Sequence, residues 1–314
     1  MTFTLVDMSV VTSKPLRLPG LIEQGKAQQR QEAVIAASLA TVARGRSGVV
    51  DQGESNMVVT MQKPTRANDR AHDGAILGAQ GVFSPVTPLD LVEPLLPNNG
   101  VKATQQVILI NGIMTDVALQ QADMQGLANT GASVVGIHNA TQGMARDLLE
   151  CVQNKLNRGD TPAIDTLARV IAQALQNDQP VRLVGHSQGA LIVARSLQVV
   201  SKALEDEGLP QADVQKLLGR ITVETYGGAS SSYVDGPVYK HYINKADVVP
   251  MLTGLGLDAF NPFGHVGQDA QLKSFVEARL PRNVPMKEGF EWGAARAVDQ
   301  SVHGPRDIYF KHRK

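Results

Sequence analysis

The chain has a single cysteine, Cys151, in 314 residues. No internal disulfide can form, so folding does not depend on an oxidising compartment. An excess of either charge is also missing. Thirty Lys+Arg balance thirty Asp+Glu, so no basic surplus points to nucleic acid. Attraction to an anionic membrane would have to come from local patches. No stretch approaches the roughly 20 apolar residues of a membrane-spanning helix. The first residues lack the basic start, apolar run and small-residue cleavage site of a secretory signal. The expectation is a chain made as a soluble cytoplasmic protein, with export by a signal-independent route left open. No His-Glu-x-x-His, cysteine cluster or carboxylate-rich loop suggests a metal, and neither Gly-x-Gly-x-x-Gly nor a Walker motif suggests a nucleotide. No cofactor is expected, and no internal repeat is evident.

What is present is ordinary in bulk and organised in detail. Hydrophobic residues make up 43% and charged residues 19%, enough for one large domain with a buried core, or for one domain plus an extension. Residues 1–100 read as an N-terminal extension with no chemistry of its own. It has one helix at about 21–44, a short strand at Met57–Met61, and proline-punctuated apolar pieces from 76 onward. From Val101 the texture changes, and residues 101–314 read as the main domain. Val107–Ile110, Ser133–Ile137, Val181–Val184, Ile221–Tyr226 and Val238–Asn244 are apolar or β-branched runs. Such runs mark strands buried on both faces. Helical patterns at 116–130, 144–156, 163–177, 190–207 and 211–218 alternate with them. Cys151 falls in one of these and reads as a small buried hydrophobe. The alternation predicts a mostly parallel sheet with helices on both faces, and a site beyond the carboxyl ends of its strands.

The stretch Val181–Ala190 stands out. A strand runs into Gly185-His186-Ser187-Gln188-Gly189, and a helical pattern follows. This is the Gly-x-Ser-x-Gly nucleophile elbow, which holds a serine at the apex of a strained turn. Glycine is plentiful, at 29 residues, so the pentapeptide alone also fits an ordinary strand–helix turn. A side chain at either flanking glycine would crowd the neighbouring strand or helix. His186 adjoins the serine, so its side chain should point elsewhere.

A serine hydroxyl needs an imidazole to take its proton and an acid to orient that imidazole. The acid candidate is Asp247, just past the strand that ends at Asn244; Asp235 and Asp258 are runners-up. The preferred base is His303, on a Gly-Pro turn near the C-terminus, with His265 as its competitor. His312 reads as solvated in a basic tail, and His138 and His241 as structural. The oxyanion hole needs two backbone donors. Gln188, directly after the serine, supplies one. The turn after the first core strand supplies the other, from Ile113 with Met114 second, and the side chains of Asn111 and Thr115 brace that loop.

Five segments occur in an order that resembles class 3 lipases of the α/β-hydrolase superfamily. They are Gly185–Gly189, Tyr226-Gly227-Gly228-Ala229, Asp247-Val248-Val249-Pro250, Gly264-His265-Val266-Gly267 and the His303…Tyr309-Phe310 ending. The resemblance implies an α/β-hydrolase fold, a Ser187–Asp247–His303 triad and a structural role for His265. Where many class 3 lipases carry Arg-Gly-Thr or a similar triplet, this chain has Asn111-Gly112-Ile113. With Gly136-Ile137-His138-Asn139 and Asp147, that form is more loosely similar to lipase-like domains of bacterial secreted effectors. The function so implied is a lipase or phospholipase acting on a lipid or ester substrate, with peripheral membrane contact. The apolar stretch Pro250–Phe260 would form an acyl-binding wall, a lid or simply buried core. A soluble esterase, a thioesterase, or a non-enzymatic interaction protein on a hydrolase scaffold are the alternatives.

Overall fold

A computed structural model of the protein describes residues 69–113, 115–140, 161–256, 264–277 and 303–313. The expected helices at 21–44 and 144–156, the strand at Met57–Met61, Met114, Asp147, Cys151 and Asp258 lie outside the described residues.

Among the described residues, eight strands form one sheet: β1 (Ile76–Gly78), β2 (Gly81–Phe83), β3 (Gln105–Ile110), β4 (Ala132–Ile137), β5 (Val181–His186), β6 (Ile221–Tyr226), β7 (Val238–Asn244) and β8 (Gln271–Phe275). Their order is β2-β1-β4-β3-β5-β6-β7-β8. Neighbours from β4 to β8 are parallel, whereas β1 runs antiparallel to both β2 and β4. The helices are α1 (Val117–Ala128), α2 (Pro162–Gln176), α3 (Gln188–Asp206), α4 (Gln211–Leu218) and the short α5 (Val248–Thr253).

The apolar runs explain the layers. Along β3, Ile108 and Ile110 lie on the side of α2 and α3, in one cluster with Leu167, Ile171, Val193 and Leu197. Val107 and Leu109 face the other side, against Met124 and Leu127 of α1 and Ile308, Tyr309 and Phe310 of the C-terminal segment. Each strand therefore needs apolar residues at successive positions. The helix starts are equally local. Asp116 caps α1 through Leu119 N–H at 2.8 Å. Thr161 caps α2, with Pro162 in its first turn, where a missing N–H costs nothing.

Three strands lie beyond those anticipated. β1 and β2, with a bridge from Leu95 to Val134, come from the segment assigned to the extension, so the sheet begins at Ile76, ahead of Val101. Strands of three residues are too short to show a period in sequence. β8 is an edge strand with mostly exposed residues, and so lacks the apolar run that marked its neighbours.

Candidate active site

Ser187 sits between β5 and α3 with φ 54° and ψ −122°. A non-glycine residue there carries strain of about 1–3 kcal/mol. A serine at a helix N-cap ordinarily turns its hydroxyl back onto the helix's own N–H groups; Ser187 makes no such capping bond. Its backbone is held from the next strand instead. Its N–H donates to Tyr226 O at 3.0 Å, and its carbonyl accepts from Ala229 N–H at 3.0 Å and Ala190 N–H at 3.1 Å. The flanking glycines are steric necessities: a Cβ on Gly185 would lie 2.6 Å from Ala190 Cα, and one on Gly189 would lie 2.2 Å from the Ile110 carbonyl oxygen.

Asp247, 1% exposed, caps α5 through one oxygen, with Oδ1 accepting from Val249 N–H at 3.0 Å. The other oxygen, Oδ2, takes the His303 ring at Nδ1. Tyr309 donates its hydroxyl to that same Oδ2 at 2.6 Å, and its oxygen accepts Asn244 N–H at 3.3 Å. The β6 turn packs directly on this group. A Cβ on Gly227, whose φ is +55°, would meet Tyr309 Oη at 2.8 Å and both Asp247 Oδ2 and His303 Cε1 at 2.9 Å. The same turn that pins Ser187 therefore also bears on the Asp247–His303 pair. Sequence reasoning missed Tyr309, whose partner lies 62 residues away; the only available signal was a tyrosine in the His303…Tyr309-Phe310 ending.

His186 turns its side chain to His303: its Nε2 is 2.8 Å from the His303 carbonyl oxygen, and the two rings are 4.6 Å apart. Burial, reinforced by the neighbouring His303, holds His186 well below its ordinary value. The neutral ring must carry its proton on Nε2, because a carbonyl only accepts.

Six parallel strands, an antiparallel pair at one edge and a serine on the sharp turn after a central strand decide the architecture. The chain has the α/β-hydrolase fold. By sequence, no protein-family model and no curated protein matches it. By structure, lipase B from Aspergillus fumigatus aligns over 61% of this chain and 37% of its own, at 14% identity and a TM-score of 0.26. TT1662 from Thermus thermophilus aligns over 58% of this chain and 82% of its own, at 16% identity and a TM-score of 0.31. The chain thus matches little more than a third of the lipase's length.

Within the α/β-hydrolase frame the other candidates separate. His265 pairs with Asp235 at 2.7 Å on a half-exposed loop, which accounts for both residues. His241 lies in β7, receiving Thr225 Oγ1 at 2.7 Å and reaching Val266 O at 3.0 Å. His138 meets Gln120 Oε1 at 2.6 Å. His312 is not simply solvated: it stacks on Phe275 with centroids 3.9 Å apart and reaches Glu277 at 3.1 Å. Gln188 starts α3 and is buried; Ile113 follows Gly112 after β3 and is half-buried. A cavity of about 460 Å³, lined by Leu89, Gln106, Gln173, Asn177 and Arg182 among others, opens at the amino ends of β3 and β5. That is the wrong end of the sheet for chemistry at Ser187. Among the described residues, no helix is long and apolar enough to cross a membrane.

Proposed function

We propose that the protein is a serine hydrolase of carboxylic esters, working through an acyl-enzyme on Ser187, and that its substrates are lipids. The observation that carries the reading is the buried Asp247–His303 contact at Nδ1, packed against the turn that fixes Ser187. An acid on Nδ1 leaves Nε2 as the nitrogen that works as base. Ser187 Oγ attacks the ester carbonyl as His303 takes its proton. The oxyanion is held by the N–H groups of Gln188 and Ile113. His303 then gives the proton to the leaving alcohol, and water, activated by the same ring, releases the acid. Asp247 keeps the imidazole in the tautomer and orientation this needs.

The lipid assignment is supported by the order of the sequence motifs and by a small apolar cluster of Leu191, Ala229 and Val249. That cluster lies beside the serine's helix and the acid, where an acyl chain would run. A phospholipase, acting after export as a bacterial effector, is the specific form of this proposal.

Covalent labelling with a fluorophosphonate tests the enzyme reading. Wild-type protein is expected to label at Ser187 and Ser187→Ala not at all, with turnover reduced roughly 10⁴-fold or more. Folded wild-type protein that does not label refutes it. Turnover of phospholipid vesicles against p-nitrophenyl butyrate tests the substrate class. A marked preference for the short soluble ester would make the protein an esterase.

A further inference from the structure

The loop after β3 is held by amide groups that the triad does not use. The side chain of Asn111, 3% exposed, extends the β3–β4 ladder one step beyond Ile110 and Ile137. Its Oδ1 accepts Asn139 N–H at 2.8 Å. Its Nδ2 donates to the Asn139 carbonyl at 2.9 Å and to the Gly112 carbonyl at 2.9 Å. Both amide hydrogens and the amide oxygen are thus engaged. The side chain of Asn139 continues the chain of bonds, with Nδ2 donating to Gln188 Oε1 at 2.8 Å. Gln188 is the residue directly after Ser187.

Peptide geometry gives this network a consequence. In a trans peptide the C=O and the following N–H point in opposite directions, and the described residues include no cis bond. Clamping the Gly112 carbonyl onto Asn111 therefore turns the Ile113 N–H to the opposite side. Gly112 itself lies hard against the nucleophile: a Cβ there would be 2.8 Å from Ser187 Cβ. Thr115 Oγ1 steadies the next carbonyl, that of Ile113, at 3.3 Å.

We propose that Asn111, Asn139 and the Gln188 side chain form a positioning clamp that fixes the two oxyanion donors, Ile113 N–H and Gln188 N–H, relative to each other. The inference rests on the serine-hydrolase reading. Asn111 sets the direction of the first donor. Asn139 ties that loop to the residue bearing the second. None of the three side chains touches the substrate. They act by preventing the Gly112–Ile113 peptide from rotating and presenting a carbonyl where a donor is required. Asparagine is the residue for the role because one side chain must accept from an N–H and donate to two carbonyls.

The test is steady-state kinetics on p-nitrophenyl butyrate, alongside fluorophosphonate labelling and thermal melting. Asn139→Leu and Gln188→Leu each remove one end of a single side-chain bond, and Asn111→Asp replaces both donors with a carboxylate facing two carbonyls. Removing an oxyanion donor outright costs about 10²–10³ in kcat. Asn139→Leu and Gln188→Leu are expected to lower kcat about 10- to 100-fold with KM within a factor of about two, because the oxyanion contact exists only in the transition state. Asn111→Asp should fall further. The double variant Asn139→Leu/Gln188→Leu should be no worse than the poorer single, as expected for two ends of one bond. Should Asn111→Asp fail to fold, the two leucine variants and their cycle decide alone. Wild type that labels, with leucine variants that turn over like it, overturns the clamp and leaves the hydrolase reading standing. Losses that add in the double variant, or that appear in KM alone, also overturn it. Wild type that does not label overturns the hydrolase reading and the clamp together.

Discussion

Asp247 divides its carboxylate between two tasks. One oxygen caps α5 and the other serves His303, so the aspartate is held before it holds anything. Tyr309 adds a second donor on the working oxygen. Removing that donor while keeping the ring should leave the fold intact and loosen the carboxylate. Tyr309→Phe is expected to lower kcat about 10-fold, the equivalent of one hydrogen bond to a charged group, with KM little changed. A kcat equal to wild type would show that Val249 N–H and His303 suffice to orient Asp247. Asp247→Asn, which keeps the shape and invites the wrong imidazole tautomer, should cost far more, on the order of 10⁴ in kcat. At this scale the sequence shows which residue types can do the chemistry, and the motif around each. Ser187, Asp247 and His303 each sit in a local pattern that can be read. Tyr309 and His186 do not, because their roles depend on partners 62 and 117 residues away, and no local period encodes such a pairing.

At the scale of elements, the segment 303–313 matters most, because it carries His303 and is tied down along its length. Ile308, Tyr309 and Phe310 are buried, and the Ile308 and Phe310 side chains are each worth about 1.5–3 kcal/mol of apolar transfer. Arg306 reaches Asp123 on α1 at 2.8 Å. Arg313 grips Glu224 of β6 through Nε at 2.8 Å and Nη2 at 3.2 Å. Burial raises the Glu224 carboxyl, but Arg313 and the Tyr226 hydroxyl outweigh it and hold the group below its ordinary value. Arg313→Ala leaves that half-buried carboxylate with Lys240 as its remaining cation, a loss of up to about 3 kcal/mol, the low end for breaking a buried pair. The expected result is faster amide exchange across 305–313, with activity falling in step while the α2–α3 side of the sheet stays protected. Exchange unchanged in the segment would mean that the apolar contacts alone hold it. The sequence shows this segment only as a short apolar element in a basic tail, since its partners come from α1, β6 and β7. The central strands are legible for the converse reason. Burial on both faces writes itself into consecutive apolar residues, whereas β1 and β2 are too short and β8 too exposed to do so.

For the whole molecule, the buried histidines set how it responds to acid. His241 is pushed down from 6.5 to about 4, chiefly by burial in β7, and His186 is shifted the same way. Below pH 6.5 the unfolded chain binds protons that the folded one refuses. Stability from these groups is therefore complete above about 6.5 and is lost as pH falls towards 4. Asp123 works the other way. Burial raises it from 3.8 to about 6 against the pull of Arg306, so its charge costs stability above pH 6, and that cost is relieved as pH falls. Glu224, held low by Arg313, acts in the same sense as the two histidines and against Asp123, and the expected balance is acid lability. At about 1.4 kcal/mol per pH unit, the His241 shift is worth about 3 kcal/mol between pH 6.5 and 4. Replacing it with a residue that does not titrate should flatten the profile whatever offset the substitution itself brings. The expected outcome, from urea unfolding between pH 4 and 8, is that wild type loses about 3 kcal/mol more than His241→Gln on going from pH 7 to 4, and that the two run parallel above pH 7. Parallel profiles over the whole range would mean that His241 takes up its proton in the folded state as readily as in the unfolded chain, its bond to the Val266 carbonyl offsetting its burial.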